Sequence, residues 1–490
     1  MTTRAAPRRL LVAGIGACFT IAFLSARGQV HGLLGPEGIA PASAMLEAVR
    51  GALGPWKALW EVPSVLWLGA GDGALSALCV AGAVAGAVAA LGLWPRGALG
   101  TAVILHVSLV SAGGVFWRYQ WDSLLSEAGL LTLLVAPGGV RPDWSRSPPR
   151  APWLLLQLLV VRLVTASGLA KLVSGDPEWR HLTALRFHFW TQPLPTPPGI
   201  LVAMAPEGFL DALCGLTLAV EVLAPLAVLG PRWVRRAGAA ALALLQVSIA
   251  LTGNYGFFNL LSLVLVVALL DDRDLGWLGR WALERRSPRA AAPSGWAMRL
   301  LTGALALLAV SVFVGGLRGP DPLAPVAEAI APFGLLNRYG LFSVMTTTRD
   351  EIRLSVSDDG ELWREVRFRH KPDDRGASWV APDMPRLDWQ MWFAALGPCR
   401  SSRWFLAFAR RLLGDDRTVW ALLDTPAPAS APRFLASVRF PTAPPAPGQP
   451  WPRLLTSSSR PFCPSLALRD GRLVAVDVGP PGFEPGTNRL

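Results

Sequence analysis

Apolar runs recur along the first two thirds of the chain, at residues 10–26, 74–94, 98–117, 123–137, 153–174, 209–229, 237–253, 257–270 and 298–317. Most of them hold the roughly 20 residues that a spanning helix needs, while 123–137 and 257–270 are short enough to be tilted half-spans. The pattern predicts an α-helical multi-span membrane domain over residues 1–317, with about nine spans. Arg4, Arg8 and Arg9 precede the first run, which reads as a signal-anchor because further spans follow it. Beyond residue 318 no run could span, and the period shortens to two. Ile352, Leu354 and Val356 alternate with polar residues up to Asp358-Asp359-Gly360, and Trp363–Phe368 returns, which predicts a hairpin. Further strands are expected at 434–440 and 472–478, and residues 401–413 have the spacing of an amphipathic helix. Residues 318–478 are therefore expected to form a mainly β domain with a few helices, and 479–490 a disordered tail.

Composition agrees with this division. Hydrophobic residues make up 52% of the 490 and charged residues only 16%, against about 25% in soluble domains. So much apolar surface excludes intrinsic disorder. The net charge of +12 is not gathered into a basic block, which argues against a nucleic-acid partner. It does report orientation. With the N-terminus in the cytosol, the inner loops carry 16 Lys/Arg and the outer ones 6. An odd number of spans then places 318–490 on the non-cytosolic side. Lysines are almost absent and alanines abundant, a bias of GC-rich bacterial genomes, for which the membrane would be the inner one.

The three tyrosines, Tyr119, Tyr255 and Tyr339, fall at predicted outer ends of spans or just past the last one. There they read as an interfacial aromatic belt. The longest outer loop, 175–208, holds Asp176, His181 and His188, candidates for acid–base chemistry. With no third ligand at useful spacing, no metal or other cofactor is expected. Charges inside spans need partners. Arg162 and Glu221 have matched depth in a hairpin and are expected to pair as a structural tether, leaving Lys171 to snorkel outward. Cys399 and Cys463, the two cysteines of the C-terminal part, are a candidate disulfide in an oxidising compartment.

Several stretches are more specific. YQWDSLLSEAGLL, KLVSGDPEWRHLTAL followed by TQPLPTP, LTGNYGFFNLL, LLDD, NRYGLFSVMTTTRDEI, FRHKPDD and above all PRLDWQMWFAAL at 385–396 resemble the lipase maturation factor family, in order, from about residue 115 to 455. The resemblance implies a multi-pass membrane protein that sits, in animals, in the endoplasmic reticulum. There it helps lipases fold and assemble, engaging the client with its C-terminal domain. In this chain Trp379, Trp389, Trp392 and Phe393 are the candidate client-binding residues. The alternative is a membrane enzyme acting on a lipid or quinone-like substrate, in a cavity bounded by Lys171, Asp176, His181, His188, Asn254 and Tyr255. Of the two, the folding factor is the favoured reading, and an enzymatic activity the less favoured one.

Overall fold

A computed structural model describes residues 3–283, 286–291, 294–318, 323–414 and 416–480. Each apolar stretch is helical: α1 (Ala5–Arg27), α2 (Asp72–Ala90), α3 (Pro95–Ala112), α4 (Gln120–Val135), α5 (Arg150–Val173), α6 (Glu207–Leu223), α7 (Arg232–Thr252), α8 (Phe258–Val266) and α9 (Trp296–Arg318). Among the described residues, six helices are long and apolar enough to cross a membrane: α1, α2, α5, α6 with its 3₁₀ extension to Leu229, α7 and α9. At 16 residues, α4 is only about 24 Å long by the 1.5 Å rise, short of the roughly 30 Å hydrocarbon core. It is enclosed on nearly every face, burying Trp121, Leu124, Leu125, Ala128 and Leu131 together with Asp122, Ser126 and Glu127.

Small residues decide how closely the helices approach. A Cβ on Gly16 of α1 would lie 2.6 Å from the Gly86 carbonyl oxygen of α2, and one on Gly86 would lie 2.7 Å from that of Gly16. The two backbones therefore cross in contact, as membrane helices do where glycines meet. Phe19 and Phe23 of α1 flank His106 of α3 at 5.5 and 5.9 Å between ring centres. At the other end of α1, Asp272 accepts from the Ala5 and Ala6 amides at 3.2 and 2.7 Å, which ties the segment after α8 to a helix start.

The C-terminal part is an antiparallel sheet of six strands: β1 (Asp350–Ser357), β2 (Trp363–Val366), β3 (Phe434–Ala443), β4 (Arg453–Leu454), β5 (Arg460–Arg469) and β6 (Arg472–Val476). The main path runs β2-β1-β3-β5-β6, with β4 beside β3. Ser357 pairs with Trp363, so the first hairpin closes through five residues rather than a two-residue Asp-Gly turn. Asp359 holds that loop by accepting from the Glu361 and Leu362 amides at 2.8 and 2.9 Å. Two helices pack on the sheet, α10 (Arg386–Ala395) and α11 (Arg403–Leu413). The apolar stripe of α11 buries Phe405, Phe408 and Leu412, with Phe405 5.0 Å from Phe462 of β5. Cys399 and Cys463 form a disulfide, joining the turn after α10 to β5. The expected tail falls almost wholly outside the described residues.

One apolar core runs through both parts, from Phe19 and Leu125 in the bundle to Trp389, Ile352 and Phe408 in the sheet layer. The C-terminal part is built into one end of the bundle.

Candidate functional site

The junction starts at α4. Asp122, fully buried in its first turn, faces Arg386 in the first turn of α10. The two carboxylate oxygens each lie 2.8 Å from a different guanidinium nitrogen. Arg386 also donates to the Phe116 carbonyl at 2.6 Å and lies 4.1 Å over the Trp117 ring. Its amide donates to Gln29 Oε1 at 2.8 Å. A planar fork with two carboxylate oxygens, a carbonyl and an aromatic face around it is the setting that favours arginine in a buried pair.

One and a half turns on, Glu127 receives a second set of donors. Its Oε1 takes Arg162 Nη1 of α5 at 2.7 Å. Its Oε2 accepts from the Asn337 amide at 3.0 Å and from the Tyr339 hydroxyl at 2.7 Å. Arg162 Nη2 reaches the Asn337 carbonyl at 2.8 Å. The expected pair of Arg162 with Glu221 is therefore replaced by two others, because Lys171 Nζ binds both oxygens of Glu221 at 2.6 Å. Lys171 does not snorkel: it is buried. Matched index sums hold only where a hairpin loop is short, and the segment between α5 and α6 contains three short helices of its own. From one of those helices Arg186 binds both oxygens of Asp211 at 2.7 and 2.6 Å.

The TQPLPTP stretch is a strap across the same junction. Trp392 Nε1 donates to the Thr191 carbonyl at 2.7 Å. Arg349, buried just before β1, donates to the carbonyls of Trp190 and Gln192, and to that of Pro193 at 3.0 Å. Asn254, between α7 and α8, accepts from the Val380 and Ala381 amides at 2.8 and 3.1 Å. Its amide nitrogen donates to Leu194 and Ser378 carbonyls at 3.1 and 2.8 Å. Tyr255 donates to Gln192 Oε1 at 2.7 Å, with His188 Nε2 at 3.2 Å. Burial, with the Lys171 charge nearby, pushes the His188 pKa down to about 4, so its imidazole is neutral at physiological pH.

Trp389 is the aromatic hub. Its ring lies 5.9 Å from Tyr119, 5.8 Å from Tyr255 and 4.8 Å from Trp121. All three tyrosines are less than 9% exposed, so they form a protein–protein seam and not a lipid-facing belt. The four aromatic client candidates divide accordingly. Trp389 and Trp392 are buried in the seam and have no free face for a client, whereas Trp379 and Phe393 are 53% and 43% exposed.

The residues named for an enzymatic cavity are brought only partly together, and their polar atoms are committed. Asp176 caps the helix Pro177–Arg180 through the Glu178 and Trp179 amides and accepts from Met345 N at 3.0 Å. Lys171 is spent on Glu221, and Asn254 and Tyr255 on the strap; His181 is exposed. Neither of the two cavities described is lined by any of the six. Among the described residues no group of three or more His, Cys, Asp or Glu could hold a metal ion. Sequence reasoning missed Asp122, Glu127, Arg349 and Arg386 as site residues. Their signal was present, as charges inside apolar or aromatic runs, but apart from Arg162, 35 residues from Glu127, and Glu351, beside Arg349, their partners lie about 160 to 270 residues away.

Fold and junction define a multi-pass membrane protein whose C-terminal part is bolted to its helical bundle by one buried charge pair and a set of buried hydrogen bonds. The model of the lipase maturation factor transmembrane domain matches residues 6–277, and that of the lipase maturation factor C-terminal domain matches 335–441. Lipase maturation factor 2 of Homo sapiens is 32% identical, covering 95% of this chain and 83% of its own. The Gallus gallus protein of the same name is 32% identical over 85% and 74%. Lipase maturation factor 1 of Bos taurus is 29% identical over 85% and 80%. The chain belongs to the lipase maturation factor family. No solved structure matches it.

Proposed function

We propose that this chain is a membrane-embedded maturation factor for a secreted, lipase-like client, engaged by the C-terminal part on the non-cytosolic side. The observation that carries the reading is the likeness to proteins named lipase maturation factors along both the bundle and the sheet. The basic residues gathered in alternate loops support a cytosolic N-terminus. With the sheet bolted to the bundle, client contact falls to side chains still free at its surface, first Trp379 and Phe393. Exposed aromatics on a rigid support are the usual anchors of a binding surface.

The test is co-expression with a secreted lipase and measurement of active lipase. The variant Trp379→Ala with Phe393→Ala should lower active lipase several-fold, with the factor itself present at wild-type level. Wild-type yields from that variant would remove these two side chains from the client surface.

A further inference from the structure

A cavity of about 290 Å³ opens between α5, α9 and the segment 337–343 that follows α9. By the roughly 30 Å³ that a water occupies in the liquid, it has room for a headgroup-sized ligand. Its apolar walls come from two helices able to cross a membrane, Ala166, Ala170 and Val173 of α5 and Val312 and Phe313 of α9, while Ser174, Asn337, Tyr339 and Ser343 add polar groups to the lining. Val173 is 60% exposed on the bundle surface, and only 17% of the spanning stretch of α9 is buried, so the cleft is open on the side where acyl chains would run.

The polar end is cationic. Arg162 lies in the lining with its charge already met by Glu127. Among the described residues Arg338 is exposed and makes no ion pair, and none of the lining side chains is a carboxylate. Among the described residues the lining thus carries one positive charge without a counter-ion. A neutral apolar ligand would leave that guanidinium unanswered, and a free anion would leave the apolar walls bare. From this combination we infer that the cleft binds a phospholipid with an anionic headgroup, its phosphate on Arg338 and an acyl chain between α5 and α9.

The experiment uses the full chain purified in a maltoside detergent and titrated with phosphatidylglycerol or phosphatidylcholine, bound lipid being read by native mass spectrometry. Phosphatidylglycerol should bind more tightly, by about five-fold for one interfacial guanidinium. Arg338→Ala should bring the two lipids to parity without shifting Tm in lipid-free detergent, and Arg338→Lys should keep the preference. Ala166→Leu, which fills the cleft, should lose both lipids; should that variant fail to fold, the Arg338 pair still decides. Equal binding of the two lipids to the wild type, or an unchanged preference in Arg338→Ala, overturns the inference. So does displacement of phosphatidylglycerol by millimolar inorganic phosphate, which would make this a free-anion site.

Discussion

Asp122 and Arg386, 264 residues apart in sequence, meet with both carboxylate oxygens 2.8 Å from separate guanidinium nitrogens, and neither side chain reaches solvent. Each residue belongs to a different part of the molecule, so this pair couples the stability of the bundle to that of the sheet. A buried pair adds little net stability over an apolar substitute, but removal of one partner strands the other.

Arg386→Met should therefore destabilise by about 3–5 kcal/mol, because it strands a buried carboxylate. The double variant with Asp122→Leu should recover much of that loss. Thermal unfolding of the four proteins in detergent measures the coupling, and strictly additive costs would show that the two charges do not act together.

Asn254→Ala should cost about 1–2 kcal/mol, since the buried Val380 amide loses its partner and the Ala381 amide and Ser378 carbonyl lose theirs at the exposed edge of the seam. The loss is local. Limited proteolysis should cut near residues 378–383 in the variant and spare them in the wild type. Resistance equal to wild type would place the strength of the seam elsewhere.

Acid should weaken the sheet through Glu351. Burial pushes its pKa up, but Lys371 and Arg349 outweigh burial and hold it at about 2, below the ordinary 4.5. For Lys371 the balance is opposite, burial outweighing Glu351 and drawing its pKa down. The unfolded chain binds a proton at Glu351 near pH 4.5 and the folded one only near 2, so the stabilisation is complete above 4.5 and lost as pH falls toward 2. Glu351→Gln should flatten unfolding free energy across that window. A variant that keeps the wild-type slope would assign the acid sensitivity to other carboxylates.

Breaking the disulfide should cost the sheet about 2–4 kcal/mol, as expected for closing a loop of 64 residues. Adding dithiothreitol, or making Cys399→Ser with Cys463→Ser, should lower Tm to the same degree. Free thiols at both positions in non-reducing peptide mapping would rule the bond out.

Much of this architecture could be read along the chain. Each apolar run became a helix, and the alternation at Ile352, Leu354 and Val356 became β1, because period and length are local properties. Pairing was the part that local patterns do not hold. Arg162 was matched with Glu221 by depth, whereas Glu127, on a helix enclosed by its neighbours, takes it together with Asn337 and Tyr339. The tyrosines looked interfacial for a related reason: their positions at helix ends were legible, and the elements that cover them, α10 for Tyr119 and Tyr255 and α4 and α5 for Tyr339, were not. The family motifs are where these distant partners concentrate. Asp122, Asn254, Tyr339 and Arg386 all fall in them, and all serve the seam.

The order of synthesis bears on the Asp122 carboxylate. Ribosomes add roughly 5–20 residues per second, so the chain from Asp122 to Arg386, 264 residues, takes on the order of 10–50 s to emerge. For that interval α4 already exists while its counter-charge does not, and a bundle without its sheet would hold an unmet acid where water is scarce. Until residue 386 arrives, that acid has to stay in contact with water at an open end of the bundle, take up a proton, or be guarded there.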